Sequence, residues 1–542
     1  MQKKLKWISL VCVIALAAVC LVNAAVFAAG EVVNISTSQQ LIDAINNQKE
    51  GQTWVLAEGT YDIADGCINN GYTINGEKGF VFPIVVDDLK IQGTGEVIIT
   101  SSYNPNTGVW SGQNFITINS DGVTIQDVKL KGNPNGYYDN TCNKVVELID
   151  GGKNLTLKNV ECLPLTCEED QTQTSGSIYI NVADAGEVTL EGVTLYSWIN
   201  ARAVTTGTVT AKNVTQDFTN NTYAGYSSPD YGYAWNPGIS GNNVVLDDFT
   251  IQVDEKTEFI QQIMNNIKPG TTVELMSDIE VSEEIYIQDT DNITIKGNGH
   301  TITAAEDFKV NTSGQVNLFK IQADQVELND VKLVATEANK HTLDIWGAQD
   351  VVLNNVTLDH QNASGGAPLI VNSSEVSIGG AFEVITGEKS WYAVNVDNTN
   401  GAASVTFEEK ATLNFEDKSS AGDKVLIYTE DKNDAVEAPV ITNNSEEIKL
   451  DITEDGVINV HTHEFGTEWK SDETYHWHEC ACGAVSDKAE HSYEDGKCTV
   501  CGAKDPEMSN PSDTGDAGIL LITAALLISG GILVVLRKRQ YN

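Results

Sequence analysis

The chain has 542 residues, with 76 acidic against 33 basic side chains and a formal net charge of −43. A field of that sign repels nucleic acid and anionic membranes, which excludes both as partners of the exposed surface, and keeps an extended protein soluble. Between residues 29 and 514 there is one Arg, Arg202, which weighs against chemistry that needs guanidinium groups to hold an acidic substrate.

In chain order, Lys3, Lys4 and Lys6 precede an apolar run from Trp7 to Val22 and the small-residue site Val26-Phe27-Ala28. Basic, apolar and small segments in that order predict a secretory signal over 1–28 and an extracellular mature chain. A short phrase then recurs: apolar, x, apolar, x, Gly/Asn/Asp, and again apolar, x, apolar. It reads Val123-Thr-Ile125-Gln-Asp127-Val128-Lys-Leu130, then Leu155-Thr-Leu157-Lys-Asn159-Val160, then Val188-Thr-Leu190-Glu-Gly192-Val193-Thr-Leu195, and returns as Val326-Glu-Leu328-Asn-Asp330-Val331-Lys-Leu333. Period-two alternation marks each half as a strand with one buried face, and the Gly, Asn or Asp between the halves accepts the left-handed bend of a tight corner. Such pairs bury their apolar face only by stacking. The predicted fold is all-β: right-handed parallel β-helices in tandem, with coils roughly 4.8 Å apart.

Two amphipathic helices, from Ser38 to Ile45 and from Thr257 to Met264, each lead into a first strand, as a cap over an open first coil would. They divide the solenoid into unit 1 (29–251) and unit 2 (252–455); one continuous β-helix with a helical insertion is the other arrangement the pattern allows. Beyond Val384 the phrase decays, and Val405-Thr-Phe407 with Ala411-Thr-Leu413-Asn-Phe415 reads as the last irregular coils. Over about residues 31–420 the coils resemble the pectate-lyase-type β-helix superfamily. That resemblance implies the fold and leaves activity open, because lyases, hydrolases, adhesins and inert stalks share it.

Among such lyases the resemblance implies an Arg base with Ca²⁺ on clustered carboxylates, and among the hydrolases three Asp with a Gly-His-Gly loop. Arg202 stands alone. Asp247-Asp248 and Gly297-Asn298-Gly299-His300 fall inside the strand-corner phrase, so the fold accounts for them and no catalytic residue is assigned. Aromatic residues instead follow the second strand of successive coils: Tyr103, Trp110, Tyr137, Tyr138, Trp198, Tyr226, Tyr233 and Trp235. Loops leaving a solenoid at one coil position emerge on one side, so these rings are candidates for stacking on the sugars of a glycan or host surface ligand. The same rings could equally pack their loops onto the solenoid. Ca²⁺ is a further candidate ligand of the acidic loops. Cys67, Cys142, Cys162 and Cys167 lie in unit 1, with Cys162 at an inward position where a thiol fills space.

Residues 461–505 break the pattern. They hold His461, His463, His476, His478 and His491 with Cys480-x-Cys482-Gly483 and Cys498-x-x-Cys501-Gly502. Cys480, Cys482, Cys498 and Cys501 can close a structural Zn²⁺ site of the zinc-ribbon kind, with His478 or His491 able to replace one Cys; disulfides are the competing state. The segment is similar to His-Trp-x-x-Cys-x-Cys-Gly modules that precede the anchors of clostridial-type surface proteins. Finally, 506–542 contains 20 uncharged, mostly apolar residues from Ala517 to Leu536, followed by Arg537, Lys538 and Arg539. That predicts a single membrane helix with a cytoplasmic tail. With Thr514-Gly515-Asp516 before it, the segment resembles a sortase sorting signal, which implies cleavage between Thr514 and Gly515 and attachment to peptidoglycan, the membrane helix itself being the other anchor.

The expected function is that of a non-enzymatic surface β-helix, an adhesin or glycan-binding stalk. A displayed polysaccharide lyase or glycoside hydrolase is the main alternative, and a purely structural spacer is the third.

Overall fold

The structure, a computed structural model, describes residues 30–63, 82–101, 114–131, 144–149, 151–166, 173–175, 177–196, 199–219, 239–257, 260–265, 267–309, 316–420, 425–452, 458–460, 465–480, 485–506 and 532–534. The segment 1–28, expected to be a secretory signal, lies outside them.

Each repeated phrase forms strands that pair in parallel with the same phrase one coil on. Leu157 is opposite Ile125 on one side and Leu190 on the other, and Leu190 is opposite Ala211. Farther along, Ile251 faces Val273, then Ile295, Leu328, Leu353, Ile378 and Phe407 in succession. These side chains are at most 1% exposed. A parallel β-helix is therefore established by the chain's own register. One sheet is continuous across residue 252, because Val244–Val253 pairs in parallel with Thr271–Leu275. The helices are Ser38–Asn46, capped by the Thr37 hydroxyl, which accepts from the Gln40 N–H, and Ile260–Asn265.

The corners adopt the expected conformation. Asp127, Asn159, Asn213, Asp248, Asp330 and Asn355 all have φ between 50° and 59°, the left-handed region that Asn and Asp tolerate best among residues with a Cβ. Their side chains also connect the coils: Asn159 Nδ2 donates to Asp127 Oδ1 (2.9 Å), Asn355 Nδ2 to Asp330 Oδ1 (2.8 Å), and the Ala381 N–H to Asn355 Oδ1 (2.8 Å). At Gly380, φ is +59° and an added Cβ would lie 2.1 Å from Asn355 Oδ1, so glycine is required there. Gly297 differs from its expected role. The left-handed residues of that turn are Asn298 and Gly299, and Gly297 is needed because a Cβ would fall 2.4 Å from the Asp330 carbonyl oxygen. Replacing Asn355 by Ala should cost about 2–5 kcal/mol: about 1–2 for the left-handed conformation and about 0.5–1.5 for each of the two ladder hydrogen bonds. Urea denaturation measures it, and a cost below about 0.5 kcal/mol would contradict the corner's assigned role.

Two lateral sheets complete the coils. A six-stranded sheet runs through the first unit, from Phe82–Ile84 to Ile239–Ser240. In the second unit an eight-stranded sheet includes Ile285–Gln288 (β1), Asn317–Gln322 (β2), His341–Trp346 (β3), Leu369–Asn372 (β4), Val394–Asp397 (β5) and Ile427–Glu430 (β6), paired in that order and all parallel. The last coils extend past the decaying phrase, since Val440–Asn443 still pairs in parallel with Ser404–Phe407.

Phe465–Ser471 (β7), Tyr475–Cys480 (β8) and Val485–Glu490 (β9) form a separate antiparallel sheet, followed by the hairpin Tyr493–Glu494 (β10) and Lys497–Cys498 (β11). Among the described residues no helix is long and apolar enough to cross a membrane. The expected span 517–536 lies outside the described residues except for 532–534. Those three form a strand antiparallel to Val440–Asn443 instead of a helical turn, where the final coil offers the unpaired backbone groups of a sheet edge.

Candidate functional site

All eight aromatic residues expected to line a ligand face, Tyr103, Trp110, Tyr137, Tyr138, Trp198, Tyr226, Tyr233 and Trp235, lie outside the described residues, as do Cys482, Thr514 and Gly515. Arg202 is exposed. Cys162 is fully buried, and burial pushes its thiol up to about 12, as expected of a space-filling Cys.

A polar and aromatic groove of about 320 Å³ lies instead on unit 2, over β2–β6. Along these strands Phe319, Leu343, Leu369, Val394 and Ile427 point into the core, so the alternate positions face outward. Register turns them into rows along the helix axis, one coil (~4.8 Å) per residue. The first row is Tyr286, Lys320, Asp344, Ile370, Asn395 and Tyr428; the second includes Trp346, Asn372, Asp397 and Glu430. Rings border both rows. Tyr392 stacks on Tyr428 with centroids 4.5 Å apart, and Trp391, 51% exposed, stands edge-on to His341.

Asp344 lines the floor, and Lys320 lies beside it, with Nζ 3.9 Å from Oδ2 and the ammonium 4.5 Å from the Trp346 ring centroid. Asn317, 1% exposed, donates through Nδ2 to Glu284 Oε1 (2.9 Å) and Asp344 Oδ2 (3.1 Å). Its own Oδ1 has no hydrogen-bond partner among the described residues. A buried acceptor left open in this way costs about 1–3 kcal/mol until a donor reaches it. Burial raises Asp344 to about 6; the Lys320 charge opposes the shift, while Glu284 and Asp397 add to it. Burial and the Lys340 charge lower His341 to about 4, so at neutral pH its ring is uncharged. Because His341 Nδ1 accepts the Ala367 N–H (3.1 Å), the ring proton sits on Nε2. The floor thus offers a carboxyl that exchanges a proton near pH 6, a neutral imidazole donor and an open amide acceptor.

In the small sheet, His476 on β8, His491 just after β9, Cys498 at the end of β11 and Cys501 bring four ligand atoms within 4.8 Å of one another. Cys480, although buried, is not among them, and no disulfide forms among the described cysteines. Burial pushes the Cys498 thiol up, but N–H donors from Cys501 and Val500 and the His491 ring bring it down to about 5.

No family model matches the chain, and no curated protein matches it. Among solved structures it is similar to the A-module of the Azotobacter vinelandii mannuronan C-5 epimerase AlgE4, at 11% identity and a TM-score of 0.28, over 74% of this chain and all of that one. The AlgE6 A-module from the same organism gives 13% and 0.26 over 72% and 93%. A PL6 alginate lyase in complex with a trisaccharide gives 10% and 0.30 over 79% and 91%. Likenesses this weak assign no residue, and the fold rests on the strand register above.

Proposed function

We propose that the groove over β2–β6 binds a polysaccharide chain lying along the β-helix axis. The observation that carries this reading is the succession of hydrogen-bonding groups at the coil spacing, flanked by aromatic rings. Trp346, Asn372, Asp397 and Glu430 succeed one another beside Trp391 and the Tyr392–Tyr428 stack. Rings stack on the apolar faces of sugars while amides and carboxylates bond their hydroxyls. The unpartnered Asn317 Oδ1 adds a buried acceptor for one such hydroxyl. Retention on a panel of immobilised neutral and acidic polysaccharides tests the reading, and retention of none of them would contradict it.

One observation favours a second reading, in which the bound chain is also cleaved. Asp344 holds its proton near pH 6, the property of a general acid or base poised for work near neutrality. His341 Nε2–H supplies a further donor in the same groove. Release of new chain ends from a retained polysaccharide measures this activity. It should follow a pH profile with an inflection near 6 and fall by roughly 10²–10⁴-fold in Asp344→Asn. A retained polysaccharide that yields no new ends leaves the groove a binding site alone.

A further inference from the structure

We infer that the Cys/His segment holds one structural zinc ion through His476, His491, Cys498 and Cys501, with Cys480 outside the coordination shell. Zinc–sulfur bonds of about 2.3 Å and zinc–nitrogen bonds of about 2.0–2.1 Å put the edges of a ligand tetrahedron at about 3.3–3.8 Å. Cys501 Sγ lies 3.5 Å from His491 Nδ1, and Cys498 Sγ lies 3.9 Å from His476 Nδ1. All four atoms fall within 4.8 Å, so small side-chain shifts close the site.

Two further features point to a metal rather than to chance proximity. His491 Nε2–H donates to the Asp472 carbonyl at 3.0 Å. This leaves Nδ1 free of its proton and aimed at the sulfurs, and a backbone carbonyl on the second ring nitrogen is the usual partner of a metal-bound histidine. Around Cys498, the N–H groups of Val500 and Cys501 turn toward its sulfur, and Gly502 completes the turn with φ +74° while its N–H donates to the Cys498 carbonyl (3.0 Å). Backbone amides gathered on a thiolate offset the charge it must keep as a ligand.

The four ligands come from β8, the end of β9 and the β11 turn, so the ion ties the antiparallel sheet to the hairpin after it. Outside the site this segment has almost no core: most of β7 and β9 is exposed. Metal binding is therefore coupled to its folding.

The test uses the whole chain purified under reducing conditions. Metal analysis should find one zinc per chain, and X-ray absorption should show two sulfurs and two nitrogens around it. Cys480→Ser should keep the zinc, whereas His491→Ala and Cys498→Ser should bind it at least about 100-fold more weakly, since loss of even an outer partner costs 10- to 100-fold. No zinc in the reduced chain, a four-sulfur shell, a Cys498–Cys501 disulfide in the protein as isolated from its host, or zinc lost from Cys480→Ser but kept by His476→Ala would each overturn the assignment. The absorption measurement needs no variant, so a misfolded mutant cannot obscure the result.

Discussion

Phe319→Ala should destabilise the second β-helical unit by about 3–5 kcal/mol, the usual range for emptying the site of a fully buried aromatic ring. Phe319 is 0% exposed and lies between Ile285 on the preceding strand and Leu343 on the next. A solenoid is held together by contacts between neighbouring coils, so the cavity weakens both interfaces of one coil and no distant contact compensates. Phe319 also shares its strand with Asn317, which lines the groove, and ligand retention should fall with stability. Chemical denaturation measures the change, and a loss below about 1 kcal/mol would mean that the coil repacks around the gap.

Acidification should be the next largest effect, with two groups acting in one direction and one against them. His341 and His360 are both lowered from 6.5 to about 4, chiefly by burial. Their contribution is complete above pH 6.5 and is lost as the pH falls through about 4, because the unfolded chain takes up protons that the folded chain refuses. Each shift is equivalent to at most about 3 kcal/mol. His360 is fully buried, with Nδ1 2.8 Å from the Thr342 hydroxyl and Nε2 2.6 Å from the Gly365 carbonyl; the neutral ring can accept at Nδ1 and donate from Nε2, and the loss of water around the ring is what penalises a second proton. Asp344 works oppositely. Its folded value of about 6 lies above the ordinary 3.8, so its contribution is complete below 3.8 and lost as the pH rises through 6, again by at most about 3 kcal/mol. Net stability should fall between pH 6.5 and 4; Asp344→Asn should stabilise the protein at pH 7.5 and have little effect at pH 3.5. Thermal melts of the two proteins across this range read the result, and equal shifts at both ends would contradict the burial of the Asp344 charge.

The fold was legible because the corner phrase states its own geometry. Asp127, Asn159, Asp330 and Asn355 stand where φ is positive, and the apolar residues on either side of them point inward. The groove was much less legible. Tyr286, Lys320, Asp344 and Asn395 are each a single outward residue between apolar neighbours, separated by one or two coils of sequence, and only the strand register brings them into one row. A repeated apolar, x, apolar triplet, such as Phe319-Lys-Ile321 and Leu343-Asp-Ile345, was the available signal, but it carries no corner residue to set its phase. In the Cys/His segment, paired Cys spacings pointed to a four-sulfur set. The antiparallel register that places His476 against Ala489, close to the turn bearing His491, is a property of the folded sheet and is not visible in spacing.

The most direct measurement of the central claim is polysaccharide retention by the intact chain compared with Trp346→Ala and Trp391→Ala. Trp391 is half exposed, so its removal should leave the melting temperature nearly unchanged. Each stacked ring contributes about 0.5–1.5 kcal/mol beyond its area, which sets a loss of affinity of several-fold up to about tenfold for either variant. Unchanged retention in both variants, for a polysaccharide that the parent chain holds, would place the binding surface elsewhere on the molecule.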